Sequence, residues 1–102
     1  MDKKKPHYKL TDIQRIVADS SSRPFTVTAL RGGLELGLDE QEMRVVVLEL
    51  KTKDFYKSMT THLDSKIWQD VYHGSTADGI GVYIKITAYM DARPPVIQFK
   101  RK

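Results

Sequence analysis

The pattern of apolar and polar residues divides the chain into a helical first half and a strand-rich second half. Ile13, Ile16 and Val17 lie at positions i, i+3 and i+4, which is the spacing of an amphipathic helix. Thr11 and Gln14 have the spacing of a capping box, so we predict a short helix that begins near Thr11. It ends in the serine- and proline-containing segment that follows, and residues 25–27 are expected to form a brief edge strand.

Two further helices are predicted before the strands begin. The first starts at Thr28, and we expect Gly32 and Gly33 to end it because glycine disfavours a helix interior. Asp39 with Glu42 marks the start of the next one, which runs to about residue 50. Its inner face carries four apolar positions at helical spacing, which are Met43, Val46, Val47 and Leu50.

The second half is rich in aromatic and β-branched residues, which favour strands. Residues 55–61 and 67–72 are predicted to pair as an antiparallel hairpin around a polar loop at 62–66. A small-residue loop is expected at 73–81. Residues 82–89 then alternate strictly between apolar and polar or aromatic side chains, which is typical of a strand with one buried face.

A turn at 90–95 and a last strand complete the prediction. Pro94 and Pro95 cannot donate to a strand ladder. In the last strand Ile97 and Phe99 are expected to face the core. The fold class that follows is α+β: a single domain over 1–102, in which about three N-terminal helices pack on one face of an antiparallel sheet.

Composition excludes several classes of function. The chain of 102 residues has no cysteine, which removes disulfides and thiolate metal sites. No apolar run approaches the ~20 residues of a membrane helix, and charged residues 1–6 lack the apolar core of a secretory signal. We expect a reducing, cytoplasmic setting. The net charge of +4 favours polyanionic partners, although the excess lies largely in the two ends of the chain.

One predicted sheet face combines cations with aromatic rings. Tyr83, Lys85, Tyr89, Gln98 and Lys100 alternate with the core positions of the last two strands. Cations bind phosphates and rings stack on bases, so this face suits single-stranded RNA. Exposed strands also carry tyrosine and lysine for structural reasons alone.

In the predicted hairpin, strand alternation places two polar residues on the same face as their apolar neighbours. Lys57 is in phase with Phe55 and Met59, and Gln69 is in phase with Ile67 and Val71. Burying such groups without a partner costs roughly 2–7 kcal/mol. Either a bulge turns them to solvent, or they line a semi-apolar cleft.

The same hairpin carries a resemblance to a known family. Residues 54–61, DFYKSMTT, and residues 67–72, IWQDVY, are similar to the motility quorum-sensing regulator toxins of bacterial type II toxin–antitoxin systems. The resemblance extends along the whole chain. Further matching segments are Pro6-His7, 35–39 and 83–87, and the departures are 20–27, 73–81 and 91–95.

The resemblance implies a fold related to the RelE toxin and a metal-independent endoribonuclease without a cofactor. Such toxins cut single-stranded messenger RNA at short GC-containing sites and do not need the ribosome. The family's catalytic residues fall on Lys57, Gln69, Tyr83 and Lys100. The RNA-binding residues that we predict around them are Lys85, Tyr89, Gln98 and Arg101.

The resemblance also implies a partner. It is an antitoxin with a zinc-binding N-terminal part and a dimeric helix-turn-helix C-terminal part, and operator DNA would be bound only through it. Two alternatives remain open at this point. His62 and His73 could act as an acid–base pair, or the chain could be a basic RNA-binding or partner-binding module without catalysis.

Overall fold

The computed structural model describes residues 2–62, 64–88 and 94–102. Three helices and five strands follow one another along this part of the chain. The helices are α1 (Leu10–Ala18), α2 (Val27–Glu35) and α3 (Glu40–Leu48). The strands are β1 (Asp2–Lys3), β2 (Phe55–Thr60), β3 (Trp68–Ser75), β4 (Gly81–Thr87) and β5 (Val96–Arg101), and a 3₁₀ turn, Thr52–Asp54, precedes β2.

The strands form one antiparallel sheet in the order β1-β2-β3-β4-β5. All three helices pack on one face, so the predicted α+β class is confirmed. Alternate residues of the inner strands meet the helices in one hydrophobic core. Its fully buried members include Val17, Met43, Val47, Tyr72, Val82, Ile84, Ile86, Ile97 and Phe99. No helix among the described residues is long and apolar enough to cross a membrane.

Helix α1 begins without the predicted capping box. Its N-cap is Lys9, whose side chain makes no capping hydrogen bond. Gln14 instead donates from Nε2 to the carbonyl oxygens of Val47, Leu48 and Leu50, at 3.1, 3.1 and 2.9 Å. These carbonyls lie at the C-terminal end of α3, where intrahelical partners run out. Gln14, which was predicted to cap the start of α1, therefore stabilises the C-terminal end of α3.

Helix α2 continues through the two glycines that were predicted to end it. A Cβ at Gly32 would lie 2.4 Å from the backbone oxygen of Phe99, and one at Gly33 would lie 2.3 Å from the sulfur of Met43. The missing side chains allow α2 to approach β5 and α3 closely. Close packing thus outweighs the low helix propensity of glycine.

Helix α3 begins as predicted. Asp39 is the N-cap, and its carboxylate accepts from the backbone N–H of Glu42 at 2.8 Å. The Glu42 carboxylate accepts in return from the Asp39 N–H at 3.0 Å. Both halves of the capping box are therefore present.

The N-terminal segment, for which no strand was predicted, is part of the sheet. β1 pairs with β2 through Asp2–Met59 and Lys3–Ser58. The chain then crosses to β3, where the buried Asp70 carboxylate accepts from the backbone N–H groups of His7 and Tyr8 at 2.8–3.0 Å. A buried carboxylate needs such donors, so Asp70 fixes the N-terminal segment to the sheet.

The central hairpin is confirmed, but its second strand is longer than predicted. β3 continues through His73, Gly74 and Ser75, which had been assigned to a loop at 73–81. The turn before β4 is therefore confined to residues 76–80. Of the predicted turn at 90–95, residues 90–93 lie outside the described residues. In place of the edge strand predicted at 25–27, Phe25 alone forms a parallel bridge with Ile97, and Val27 already begins α2.

Candidate functional site on the open sheet face

Strand register determines which side chains share the sheet face that the helices leave open. His73 on β3 pairs with Tyr83 on β4, and Tyr83 pairs with Lys100 on β5. Two residues away along the strands is a second row, in which Lys57 pairs with Val71, Val71 with Lys85, and Lys85 with Gln98. Ile84 and Phe99, which lie between these rows, are in the core. The rows therefore project to the opposite face.

An open hollow of about 240 Å³ lies on this face. Lys57, Tyr83 and Lys100 all line it, although they come from three different strands. The other lining residues are Tyr56, Met59, Val71 and Lys85. Three of the four predicted catalytic residues therefore converge on one hollow.

A bulge in β2 explains how Lys57 reaches the hollow. Phe55 pairs with Tyr72, while Lys57 pairs with Val71, so Tyr56 is an extra residue with no partner position on β3. A bulge of this kind redirects the side chains that follow it. Phe55 packs against the core, whereas Lys57 lies on the open face. Two explanations were offered for a polar residue at position 57, a bulge or a cleft. The structure contains both: the bulge turns Lys57 to the open face, where it lines the hollow.

The ammonium group of Lys57 has only weak partners among the described residues. Nζ lies 4.0 Å from a carboxylate oxygen of Asp2, whose side chain is 62% exposed, and 5.5 Å from the centre of the Tyr56 ring. An exposed ion pair at this distance contributes little stability. Lys57 can therefore exchange this contact for a phosphate oxygen at small cost.

Gln69 shares the face but lies one step farther along the strand than the hollow's β3 residue, Val71. It pairs with Met59 on one side and with Thr87 on the other. Two residues of a strand span about 6.6 Å, so Gln69 borders the hollow on its Met59 side. Gln69 is therefore a neighbour of the hollow and not one of its lining residues.

The predicted RNA-binding residues separate into three groups. Lys85 and Gln98 lie on the open face, and both also line a small recess of about 40 Å³ beside Thr28 of α2. Arg101 does not join them, because it pairs with the core residue Val82 and so projects to the helix-covered side of the sheet. Tyr89 lies outside the described residues.

The structure does not bring the histidine pair together. His62 is exposed in the turn after β2, whereas His73 lies in β3, five residues beyond Trp68 at the start of that strand. Five residues of strand span about 16 Å. The acid–base pair is therefore wrong in its geometry, and the loop position expected for His73 is wrong as well.

The sequence analysis missed Tyr56 as a side chain of this site, and it considered His73 only as the partner of His62. The Tyr56 and His73 rings stack with centroids 4.5 Å apart, and the His73 ring also meets the Tyr83 ring edge-on at 5.0 Å. Burial lowers the pKa of His73, and the nearby positive charge of Lys102 lowers it further. Both effects favour the neutral form of the imidazole that contacts the predicted catalytic tyrosine. The only available signal was Tyr56 itself, directly before Lys57.

This arrangement can hold a phosphodiester. Lys57, Lys85 and Lys100 supply positive charge from three strands, and Tyr83 supplies a hydroxyl that can donate a hydrogen bond. Aromatic and apolar walls exclude part of the surrounding water, which strengthens these interactions. Among residues 2–62, 64–88 and 94–102, no three His, Asp or Glu side chains cluster as metal ligands.

Comparison with known proteins identifies a family and a relative of this chain. The family model described as "Motility quorum-sensing regulator, toxin of MqsA" matches residues 5–101. The mRNA interferase toxin MqsR of Escherichia coli (strain K12) is 42% identical over 102 residues, which covers the whole of both chains.

Proposed function

This chain belongs to the motility quorum-sensing regulator toxins and is an endoribonuclease, and we propose that it cuts single-stranded messenger RNA by attack of the ribose 2′-hydroxyl. It acts at short GC-containing sites, without the ribosome and without a bound metal. The result is arrest of translation and growth in a bacterial cytoplasm.

The observation that carries this proposal is the convergence of Lys57, Tyr83 and Lys100 around one hollow. Two ammonium groups and a phenol can bind an anionic phosphate and stabilise the further negative charge of its transition state. The surrounding rings suit the bases on either side of that phosphate. A protein that only bound RNA would not need a hydroxyl donor in the same hollow as two lysines.

The proposed reaction forms one bond to phosphorus and breaks another. The 2′-oxygen gives its proton to solvent water and attacks phosphorus in line, the bond to the 5′-oxygen breaks, and that oxygen takes up the hydroxyl proton of Tyr83, which solvent then replaces. The products are a 2′,3′-cyclic phosphate and a free 5′-hydroxyl. Lys57 and Lys100 hold the non-bridging oxygens, so that positive charge from the chain meets the negative charge of the phosphorane.

Tyr83 and Gln69 have positioning and proton-transfer roles in this proposal. Tyr83 lines the hollow from β4, which lies between the strands of Lys57 and Lys100 in the sheet order, and it donates its hydroxyl proton towards the leaving 5′-oxygen. Gln69 borders the hollow and orients the 2′-hydroxyl through its side-chain amide. Lys85 and Gln98 bind neighbouring parts of the strand.

The restraint on such a toxin is a protein antitoxin. We propose a partner with a zinc-binding N-terminal part and a dimeric helix-turn-helix C-terminal part. Operator DNA is then bound only through the antitoxin, and the pair regulates its own transcription. The family description, a toxin of a named partner, supports the existence of an antitoxin.

The proposal is tested with purified protein and a defined single-stranded RNA that contains several GC steps, in the presence of a chelator. We expect discrete fragments that end in a 2′,3′-cyclic phosphate. Lys57→Ala and Tyr83→Phe should each lower the cleavage rate by about 10²- to 10³-fold, as the loss of one transition-state donor does. Arg15→Ala, which changes an exposed residue of α1, is the matched control.

Each outcome separates the alternatives. Retarded but intact RNA would support the non-catalytic RNA-binding module, and wild-type rates in both variants would remove Lys57 and Tyr83 from the site. Circular dichroism and thermal unfolding verify that the variants are folded. In cells, inducible expression should arrest growth only when Lys57 is intact, and co-expression of an antitoxin of the proposed type should relieve the arrest.

A further inference from the structure

The bulge in β2 turns an aromatic ring, as well as a lysine, to the open face. Tyr56 is the extra residue of the bulge, and its side chain lines the hollow beside Lys57. The residue as a whole remains 51% exposed. The other large apolar side chains exposed among the described residues are aliphatic and belong to α2 and α3. An exposed aromatic ring at the edge of a cationic hollow is therefore a distinct feature of this face.

The Tyr56 ring is held in place from behind. His73 stacks on it with an interplanar angle of 26°, and the His73 ring is in turn fixed by an edge-on contact with Tyr83 at 72°. Stacked and edge-to-face ring pairs at these separations are mutually attractive. The three rings form a ladder across β2, β3 and β4, so little conformational freedom is left for Tyr56 to lose when a ligand binds.

The histidine at the centre of these three rings has a feature that does not favour stability. The Nε2 atom of His73 is buried and has no hydrogen-bond partner in the described part of the chain. Leaving such an atom without a partner is unfavourable. An aliphatic residue at position 73 would avoid that cost. A planar imidazole, however, supports the flat face of Tyr56 in a way that an aliphatic side chain does not.

We propose that Tyr56, supported by His73, is the platform on which one base of the RNA stacks, next to the phosphate that Lys57 holds. The inference rests on the proposed ribonuclease function. Stacking uses the face of the base and accepts any base, so this platform fixes the position of the strand rather than its sequence. It places the scissile phosphate over the hollow by holding the adjacent base.

The test uses a single-stranded RNA that the wild-type protein cuts, resynthesised with a 2′-deoxy nucleotide at the mapped cleavage position so that it binds without reacting. Tyr56→Leu should weaken its binding by about 5- to 150-fold, which is the contribution of stacking one base on an aromatic ring. Tyr56→Phe and Tyr56→Trp should bind within about twofold of the wild type, because both keep a ring. Leu34→Ala removes an exposed apolar side chain of α2 and should leave binding unchanged.

A second measurement does not depend on any variant remaining folded. 2-Aminopurine, placed in turn on each side of the mapped cleavage position, should be quenched on binding to wild-type protein at one of the two positions. Quenching at neither position, or equal loss of binding in Tyr56→Leu and Tyr56→Phe, would overturn the platform while cleavage stands. If the wild-type protein neither cuts nor binds RNA, the proposed function fails and the platform fails with it.

Discussion

At the scale of single residues, one buried side chain with many hydrogen bonds was singled out by no sequence pattern. Arg44 is 4% exposed and lies on α3. Its guanidinium donates to the carbonyl oxygens of Val17, Asp19 and Ser22 at 2.7, 3.0 and 2.6 Å. It also forms an ion pair with Glu40 at 2.8 Å. One arginine thereby satisfies the carbonyl groups where α1 ends and ties α1 to α3.

We predict that Arg44→Lys lowers the free energy of unfolding by about 1–3 kcal/mol. A lysine keeps the charge but cannot place several donors in the planar fork that these carbonyls require, so buried acceptors lose their partners. Chemical denaturation measures the change. Arg15→Lys is the matched control. The partner of Arg15 within residues 2–62, 64–88 and 94–102 is Asp12 at an exposed surface, so the substitution should change stability by less than about 0.5 kcal/mol. Equal effects of the two substitutions would contradict this account.

Residue chemistry also shows where local patterns are and are not sufficient. The capping box of Asp39 and Glu42 was predicted because all of its groups lie within four residues. The same reasoning failed for Thr11 and Gln14, since Gln14 binds carbonyl groups more than 30 residues away. A three-residue spacing cannot reveal such a competitor.

At the scale of elements, α2 shows packing overriding propensity. It contacts β5 closely, and its two glycines face Phe99 and Met43 rather than ending the helix. The two glycines were therefore placed for close packing of α2 against β5 and α3, and not for a helix end. The sequence of α2 alone does not distinguish these two roles.

Gly32→Ala should therefore destabilise the protein despite its better helix propensity. The propensity gain is about 1 kcal/mol. The added methyl group, however, meets a backbone oxygen at 2.4 Å that cannot move aside without shifting β5, and such overpacking costs about 1–3 kcal/mol or more. Thermal unfolding should show a lower Tm. Arg31→Ala, an exposed neighbour on the same helix, should leave the Tm nearly unchanged, and a higher Tm for Gly32→Ala would show that β5 yields easily.

Strand alternation predicted the positions of some residues of the candidate site but not of others. Strand alternation alone placed Tyr83, Lys85, Gln98 and Lys100 on one face, and the register confirms that arrangement. Alternation also implied that Lys57 would sit with Phe55, and the bulge separates them. A bulge adds one residue without a distinctive composition, so its position emerges only when β2 is aligned with β3.

At the scale of the whole molecule, the sheet divides the charge into two faces. The helices cover one face, and three lysines from three strands share the other. Net charge alone could not show this, because the excess in the sequence lies near the chain ends. Topology, rather than composition, gathers Lys57, Lys85 and Lys100 within one hollow.

The salt dependence of RNA binding should report this asymmetry. For single strands, the logarithm of the binding constant falls by about 0.7 per bound phosphate for each unit of log salt concentration. Three lysine–phosphate contacts thus predict a slope near −2. Lys85→Ala should reduce the magnitude of that slope by about 0.7. Arg15→Ala removes the same unit of charge from the helix-covered side and should leave the slope unchanged, so an equal change in both variants would mean that net charge, not the open face, attracts the RNA.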